Sequence, residues 1–114
     1  MPFINSKVSV QVTPEQEKKL KTGLGQAISV IPGKSQQWLM TGFEDKYHLY
    51  FRGENSEPSA FIEVQIYGTP SASAMEQLTG EITQIFNEVL AISPDHIYIS
   101  YHPTDFWGWN GNNF

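Results

Sequence analysis

The chain contains no cysteine, which excludes disulfides, thiolate nucleophiles and cysteine-based metal sites. Basic residues are scarce. Seven Lys and Arg stand against twelve Asp and Glu, for a net charge of −5, and none follows Arg52. That balance lacks the clustered basic footprint of a nucleic-acid-binding domain. No apolar run approaches the roughly 20 residues that span a bilayer, so membrane insertion is not expected. Phe3-Ile4 gives way at once to Asn5-Ser6-Lys7, leaving no secretory h-region; the expected address is the cytoplasm. His48, His96 and His102 stand apart, without H-x-x-x-H or H-E-x-x-H spacing, so no metal site is expected. G-x-S-x-G, P-loop and G-x-G-x-x-G signatures are also absent, and no cofactor is expected.

What is present describes a folded domain. At 114 residues, 39% hydrophobic, 13% aromatic and 17% charged, the chain can build one core and reads as a single domain over 1–114. Val8, Val10 and Val12 alternate with Lys7, Ser9 and Gln11, which predicts a half-buried strand over 7–12. Thr13-Pro14-Glu15-Gln16 predicts a helix start, with Thr13 as N-cap, Pro14 in the first turn and Gln16 completing a capping box. Leu20, Leu24, Ala27, Ile28 and Ile31 then form one apolar stripe, ended by Pro32-Gly33. A strand is expected over 37–41, a polar turn over 42–46 and a short strand over 48–51.

From Phe61 to Tyr67 alternation is strict: Ile62, Val64 and Ile66 face one way, Phe61, Glu63, Gln65 and Tyr67 the other. Thr69-Pro70, with Ser73 and Glu76 as a second capping box, predicts another helix start. Met75, Leu78, Ile82, Ile85, Phe86 and Val89 supply its stripe. A closing strand follows over 96–101, then a tail carrying Phe106, Trp107, Trp109 and Phe114. Two similar β-α-β units predict an α/β chain of the two-layer α+β kind, a four-stranded sheet with both helices on one face. The other face, with Phe61 and Tyr67, is left for oligomerisation to cover.

Three residues carry the candidate chemistry. Were Met1 removed, Pro2 would present a secondary amine. An α-amine has a reference pKa of about 7.7–8.0, and desolvation or a nearby cation lowers it, giving a general base near neutrality. Lys34, just past a helix C-terminus, is favoured there for structural reasons alone, yet it also directly precedes a strand that could neighbour the N-terminal one. Tyr98 is by default a packed aromatic whose hydroxyl seeks a partner.

Several segments converge on one family. With Pro2-Phe3-Ile4, Gly33-Lys34, Ser56-Glu57-Pro58-Ser59-Ala60, Ile92-Ser93-Pro94-Asp95-His96-Ile97-Tyr98-Ile99 and Gly108-Trp109-Asn110 with Phe114, in that order, the chain resembles the macrophage migration inhibitory factor and D-dopachrome tautomerase family of the tautomerase superfamily. The resemblance implies a homotrimer whose sheets form a barrel around a central channel, with Glu63 and Gln65 lining it and active sites at subunit interfaces. It implies keto–enol tautomerisation of small aromatic α-keto acids or enols of the phenylpyruvate or dopachrome type. Pro2 would be the base and Lys34 the carboxylate ligand; Tyr98 of a neighbouring subunit would hold the distal end. The Tyr67 backbone N–H would meet the carboxylate or enolate oxygen, and Trp109 and Phe114 would form an apolar rim. The family also implies cytokine-like activity, with a cell-surface receptor as partner and export by a non-classical route.

Departures bear on the pocket. Tyr67 stands where the family has an aliphatic, Ser100 where an asparagine is common, and Trp107 where a smaller aliphatic lies. Ser59 and Ile62 replace the C-x-x-C of the mammalian factor, excluding its thiol chemistry. An alternative function follows if Met1 is retained: a cytokine-like or host-mimicking interaction protein whose tautomerase pocket is weak or blocked.

Overall fold

A computed structural model describes residues 1–114. Its first strand, β1 (Pro2–Val8), starts at the proline, where a missing N–H costs least because Pro2 is the strand's first residue. Burial alternates along it, with Pro2, Ile4, Ser6 and Val8 inward. This corrects the strand expected over 7–12: the valine alternation is the end of an earlier period, and the chain bends at Ser9-Val10. There the ladder gives way to loop bonds, Tyr47 N–H to Val8 O and Lys46 N–H to Val10 O, both 2.9 Å.

Helix α1 (Pro14–Ala27) begins as expected, with both halves of the Thr13–Gln16 capping box formed. It tightens into a 3₁₀ turn over Ile28–Val30, and Gly33 at φ 81° reverses the chain in a conformation that glycine adopts without strain. The segment expected as a strand over 37–41 divides instead into a 3₁₀ turn, Gln36–Trp38, and β2 (Met40–Glu44). Gly42–Glu44, expected within a polar turn, pair with Asn5–Lys7 as a parallel edge strand. Residues 48–51 form no strand; Phe51 bridges only Glu54 across a tight turn.

β3 (Ala60–Tyr67) keeps its expected alternation, with Ile62, Val64 and Ile66 fully buried. α2 (Ala72–Leu90) starts two residues past the expected Thr69-Pro70 and without the expected Ser73–Glu76 capping box. Gly68 donates its N–H to Thr104 O at 2.9 Å, extending the strand-end pairing past Tyr67, so Ser71 is the N-cap, accepting from Ala74 N–H. β4 (Ile97–Thr104) runs three residues beyond the expected end. The tail, unassigned by periodicity, makes a hairpin of β5 (Gly108–Trp109) and β6 (Asn112–Asn113). Its turn, Asn110-Gly111 with both φ positive, is the pairing that two-residue hairpins favour.

The main sheet has the order β2-β1-β3-β4, with β1–β2 and β3–β4 parallel and β1–β3 antiparallel. Two β-α-β units therefore meet along the antiparallel β1–β3 seam. Inward residues of β1 and β3 pack with Leu20, Leu24 and Ile28 of the first helical segment and Leu78, Ile82 and Phe86 of α2 in one core. Both helices thus lie on one face, and the opposite face is open. It carries a Lys7–Glu63 ion pair at 3.1 Å, Asn5 donating to Glu44 at 2.9 Å and Ser100 hydrogen-bonded to His102. No helix is long and apolar enough to cross a membrane.

Candidate functional site

The register of the central seam decides where the N-terminus lies. Pro2 pairs with Ile66, so Met1 falls opposite Tyr67, the last residue of β3. An antiparallel hydrogen-bonded pair normally exchanges two bonds. Here Tyr67 N–H donates to the Met1 carbonyl at 3.0 Å, but the Tyr67 carbonyl accepts from Lys34 Nζ at 2.9 Å. Lys34 reaches it because the turn at Gly33 carries the lysine back toward the strand ends, held by its own N–H to Ile31 O. One residue of β3 therefore fixes both the N-terminus and the lysine.

The Met1 amine is pushed down to about 6, by burial first, then by the Lys34 charge and a hydrogen bond from Lys34. An amine there is mostly neutral at pH 7. In the Met1-bearing chain the Pro2 nitrogen is an amide and is not basic.

Aromatic rings close one side. Lys34 Nζ lies 5.8 Å from the centre of the Tyr67 ring, Tyr67 packs on Phe114 at 5.5 Å, and Phe114 stacks on Trp109 at 6.4 Å. Trp38 meets Trp109 edge-on at 5.2 Å. Local pattern places Trp38 in a strand and does not mark it as a site residue; its position four residues after Lys34, in the 3₁₀ turn, is the signal that points to it. Trp107 holds the tail through its carbonyl, which accepts from Phe114 N–H at 3.0 Å.

Of the six expected site residues, Pro2, Lys34, Tyr67, Trp109 and Phe114 come together. Tyr98 does not. It pairs with Phe61 at the other end of β3, roughly 20 Å from Tyr67 at strand rise. There it packs edge-on against Phe51 at 5.3 Å and lines a cavity of about 200 Å³ with Leu49, Tyr50, Phe61 and His96. A larger cavity, about 490 Å³, lies between Ser9-Val10 and the 46–50 loop and contains none of the expected site residues. No group of acidic residues and histidines is arranged to hold a metal ion.

Two helices on a four-stranded mixed sheet, built from paired β-α-β units, form a tautomerase-superfamily fold. The chain belongs to the macrophage migration inhibitory factor family, whose model matches residues 1–114. Among solved structures it is similar to MIF2 of Leishmania major, with 31% identity, TM-score 0.92, and 100% of this chain and 97% of that one covered. The homologue from Prochlorococcus marinus is 27% identical, with TM-score 0.86 and 98% of each chain covered. The MIF-like protein of Entamoeba histolytica, 19% identical with TM-score 0.83 over 99% of this chain and 98% of that one, shares the fold. No curated protein matches the sequence.

Proposed function

We propose that this chain is a keto–enol tautomerase of small α-keto acids of the phenylpyruvate type, and of dopachrome-like compounds, with the Pro2 amine as general base once Met1 is removed. Membership of the family supports isomerase chemistry in general; the specific reading rests on the surroundings of the N-terminal amine. Burial and Lys34 already hold the Met1 amine down to about 6, and a Pro2 amine one residue along would meet the same two influences. Removing Met1 also takes away the carbonyl that occupies Tyr67 N–H, freeing a main-chain donor beside Lys34.

In the proposed reaction Lys34 binds the carboxylate and the neutral Pro2 nitrogen takes a proton from the carbon next to the carbonyl. The electron pair moves onto the carbonyl oxygen, where Lys34 and Tyr67 N–H stabilise the enolate. Proton return to oxygen completes the enol. Trp109, Phe114 and Trp38 would flank an aromatic substrate. Tyr98 would serve a neighbouring copy's site in a homotrimer, since it cannot reach Pro2 of its own chain. Met40, 68% exposed, and Tyr98, 60% exposed, are large side chains that such an assembly would cover, with Glu63 and Gln65 facing the channel.

Intact mass establishes the state of residue 1, and a phenylpyruvate enol assay on wild type and Pro2→Gly then tests the base. A loss of about 10²–10⁴ in kcat is expected on replacing it; equal activity would sink the proposal. One observation favours the second reading: with Met1 in place, Pro2 has no basic nitrogen and Tyr67 N–H is occupied. The Met1-bearing trimer would then act as a cytokine-like ligand, and absence of binding to a receptor of the inhibitory factor would count against it.

A further inference from the structure

We propose that the cavity of about 200 Å³ at the start of β3 and β4 is a second binding site, which takes a single phenol ring and holds its hydroxyl on His96. Its walls come from one chain, so the proposal does not rest on the tautomerase reading.

Strand register assembles the cavity. β3 and β4 run parallel with Ala60 beside Ile97 and Phe61 beside Tyr98, and the residues just before these strands, Ser59 and His96, line the same space. The segment from Leu49 to Phe51 closes it. Phe51 is pinned by two main-chain bonds with Glu54, at 2.8 and 3.0 Å. Its ring meets His96 at 5.1 Å and 70°, and Tyr98 at 5.3 Å and 84°. Rings set nearly perpendicular offer edges and faces to a further ring, in the edge-to-face arrangement that aromatic pairs favour. The volume sets the size of the guest. An apolar cavity of ~150 Å³ holds benzene, so about 200 Å³ suits one ring with small substituents.

His96 decides the polar group. Its Nδ1 lies 2.9 Å from Asp95 Oδ1, which also accepts from Ser93 Oγ at 2.6 Å. Those bonds hold the Asp95 carboxyl below its ordinary range. An ionised carboxylate can only accept, so it fixes the proton of the neutral imidazole on Nδ1 and leaves Nε2 as an acceptor. Nε2 makes no hydrogen bond within the protein, although the side chain is only 17% exposed. A hydroxyl on an aromatic ring satisfies both the walls and this acceptor. A carboxylate offers Nε2 no proton and would set its charge among Leu49, Phe51 and Phe61, where desolvation is costly. A hydrocarbon ring fits the walls but leaves Nε2 unpaired.

The test is ring-signal NMR on the full chain in its native assembly, titrated with p-cresol and with toluene. p-Cresol should shift the His96, Phe51 and Tyr98 signals saturably, and toluene should bind about three- to tenfold more weakly for want of one hydrogen bond. His96→Phe, which keeps a ring beside Phe51, should bind the two equally. Lys34→Ala should bind p-cresol as wild type does, because Lys34 contacts Tyr67 at the opposite end of β3. N-acetyl-tyrosinamide distinguishes the source of the phenol: binding as tight as p-cresol assigns a tyrosine side chain, weaker binding a free phenol, and either result keeps the phenol as the ligand. Equal affinity for p-cresol and toluene in wild type, saturable shifts at Trp38 and Trp109 in place of His96, or no saturation would overturn the proposal. No arm measures isomerase activity, so this idea and the tautomerase reading can fail separately.

Discussion

Lys34 and Tyr67 meet through one bond, Nζ to main-chain carbonyl at 2.9 Å, and an ammonium with three donors keeps capacity for a substrate carboxylate. Lys34→Ala should raise KM for an α-keto acid about ten- to hundredfold, in line with about 1.5–3 kcal/mol for a hydrogen bond to a charged group. Its pH effect has a definite sign. The neutral Pro2 amine is the active form and a nearby cation lowers its pKa, so removing Lys34 raises that pKa. The acidic limb of kcat/KM should move to higher pH, and an unmoved limb would show that Lys34 does not tune the base.

Tyr98 lies at the far end of β3 from Tyr67, so a role in the Pro2 site requires another copy. Light scattering should find three 12.9 kDa chains per particle. Pro2→Gly and Tyr98→Ala trimers, each impaired, should recover activity when unfolded and refolded together, because mixed trimers contain sites with both residues intact. No recovery would place Tyr98 outside the site.

Trp38 touches Trp109 edge-on at 5.2 Å. Trp38→Ala should lower kcat/KM for phenylpyruvate about two- to tenfold, from about 0.5–1.5 kcal/mol per aromatic pair. A small aliphatic α-keto acid should be nearly unaffected; equal losses for both would assign Trp38 to structure instead of substrate contact.

With Met1 present, the N-terminal amine is lowered from 8.0 to about 6. The unfolded chain then binds more protons between those values, so stability rises as pH increases from 6 to 8 and is lost on the way down. The amine is partly solvated, which keeps the effect under about 1 kcal/mol. Denaturant titrations across this window should show the slope in Met1-bearing wild type and a flatter one in Lys34→Ala.

Gly80 lies exposed in the middle of α2, and an added Cβ would meet nothing within 4 Å. Gly80→Ala should therefore stabilise the protein by about 0.5–1 kcal/mol, by restricting the unfolded chain. A loss of stability would mean that this helix face is covered in the assembled protein.

Local rules located the elements whose causes are local. The Thr13–Gln16 box formed as expected because all its partners lie within four residues, and β3 kept its alternation because period 2 is a property of the strand itself. The missed boundaries have non-local causes. Met40–Glu44 is a strand only because β1 lies alongside, and α2 waits for Ser71 because Gly68 is engaged with Thr104 on another strand.

The sequence by itself determined the two β-α-β units, the helix stripes and the residues that mark the family, because periodicity, capping and spacing are written in the order of the side chains. Only the tertiary structure decided that Tyr67 would hold Met1 with its N–H and Lys34 with its carbonyl, and that Trp38 would join the aromatic wall. It also placed Tyr98 beyond reach of its own Pro2. Those relations follow from strand register and a chain reversal, which depend on packing across residues far apart in sequence.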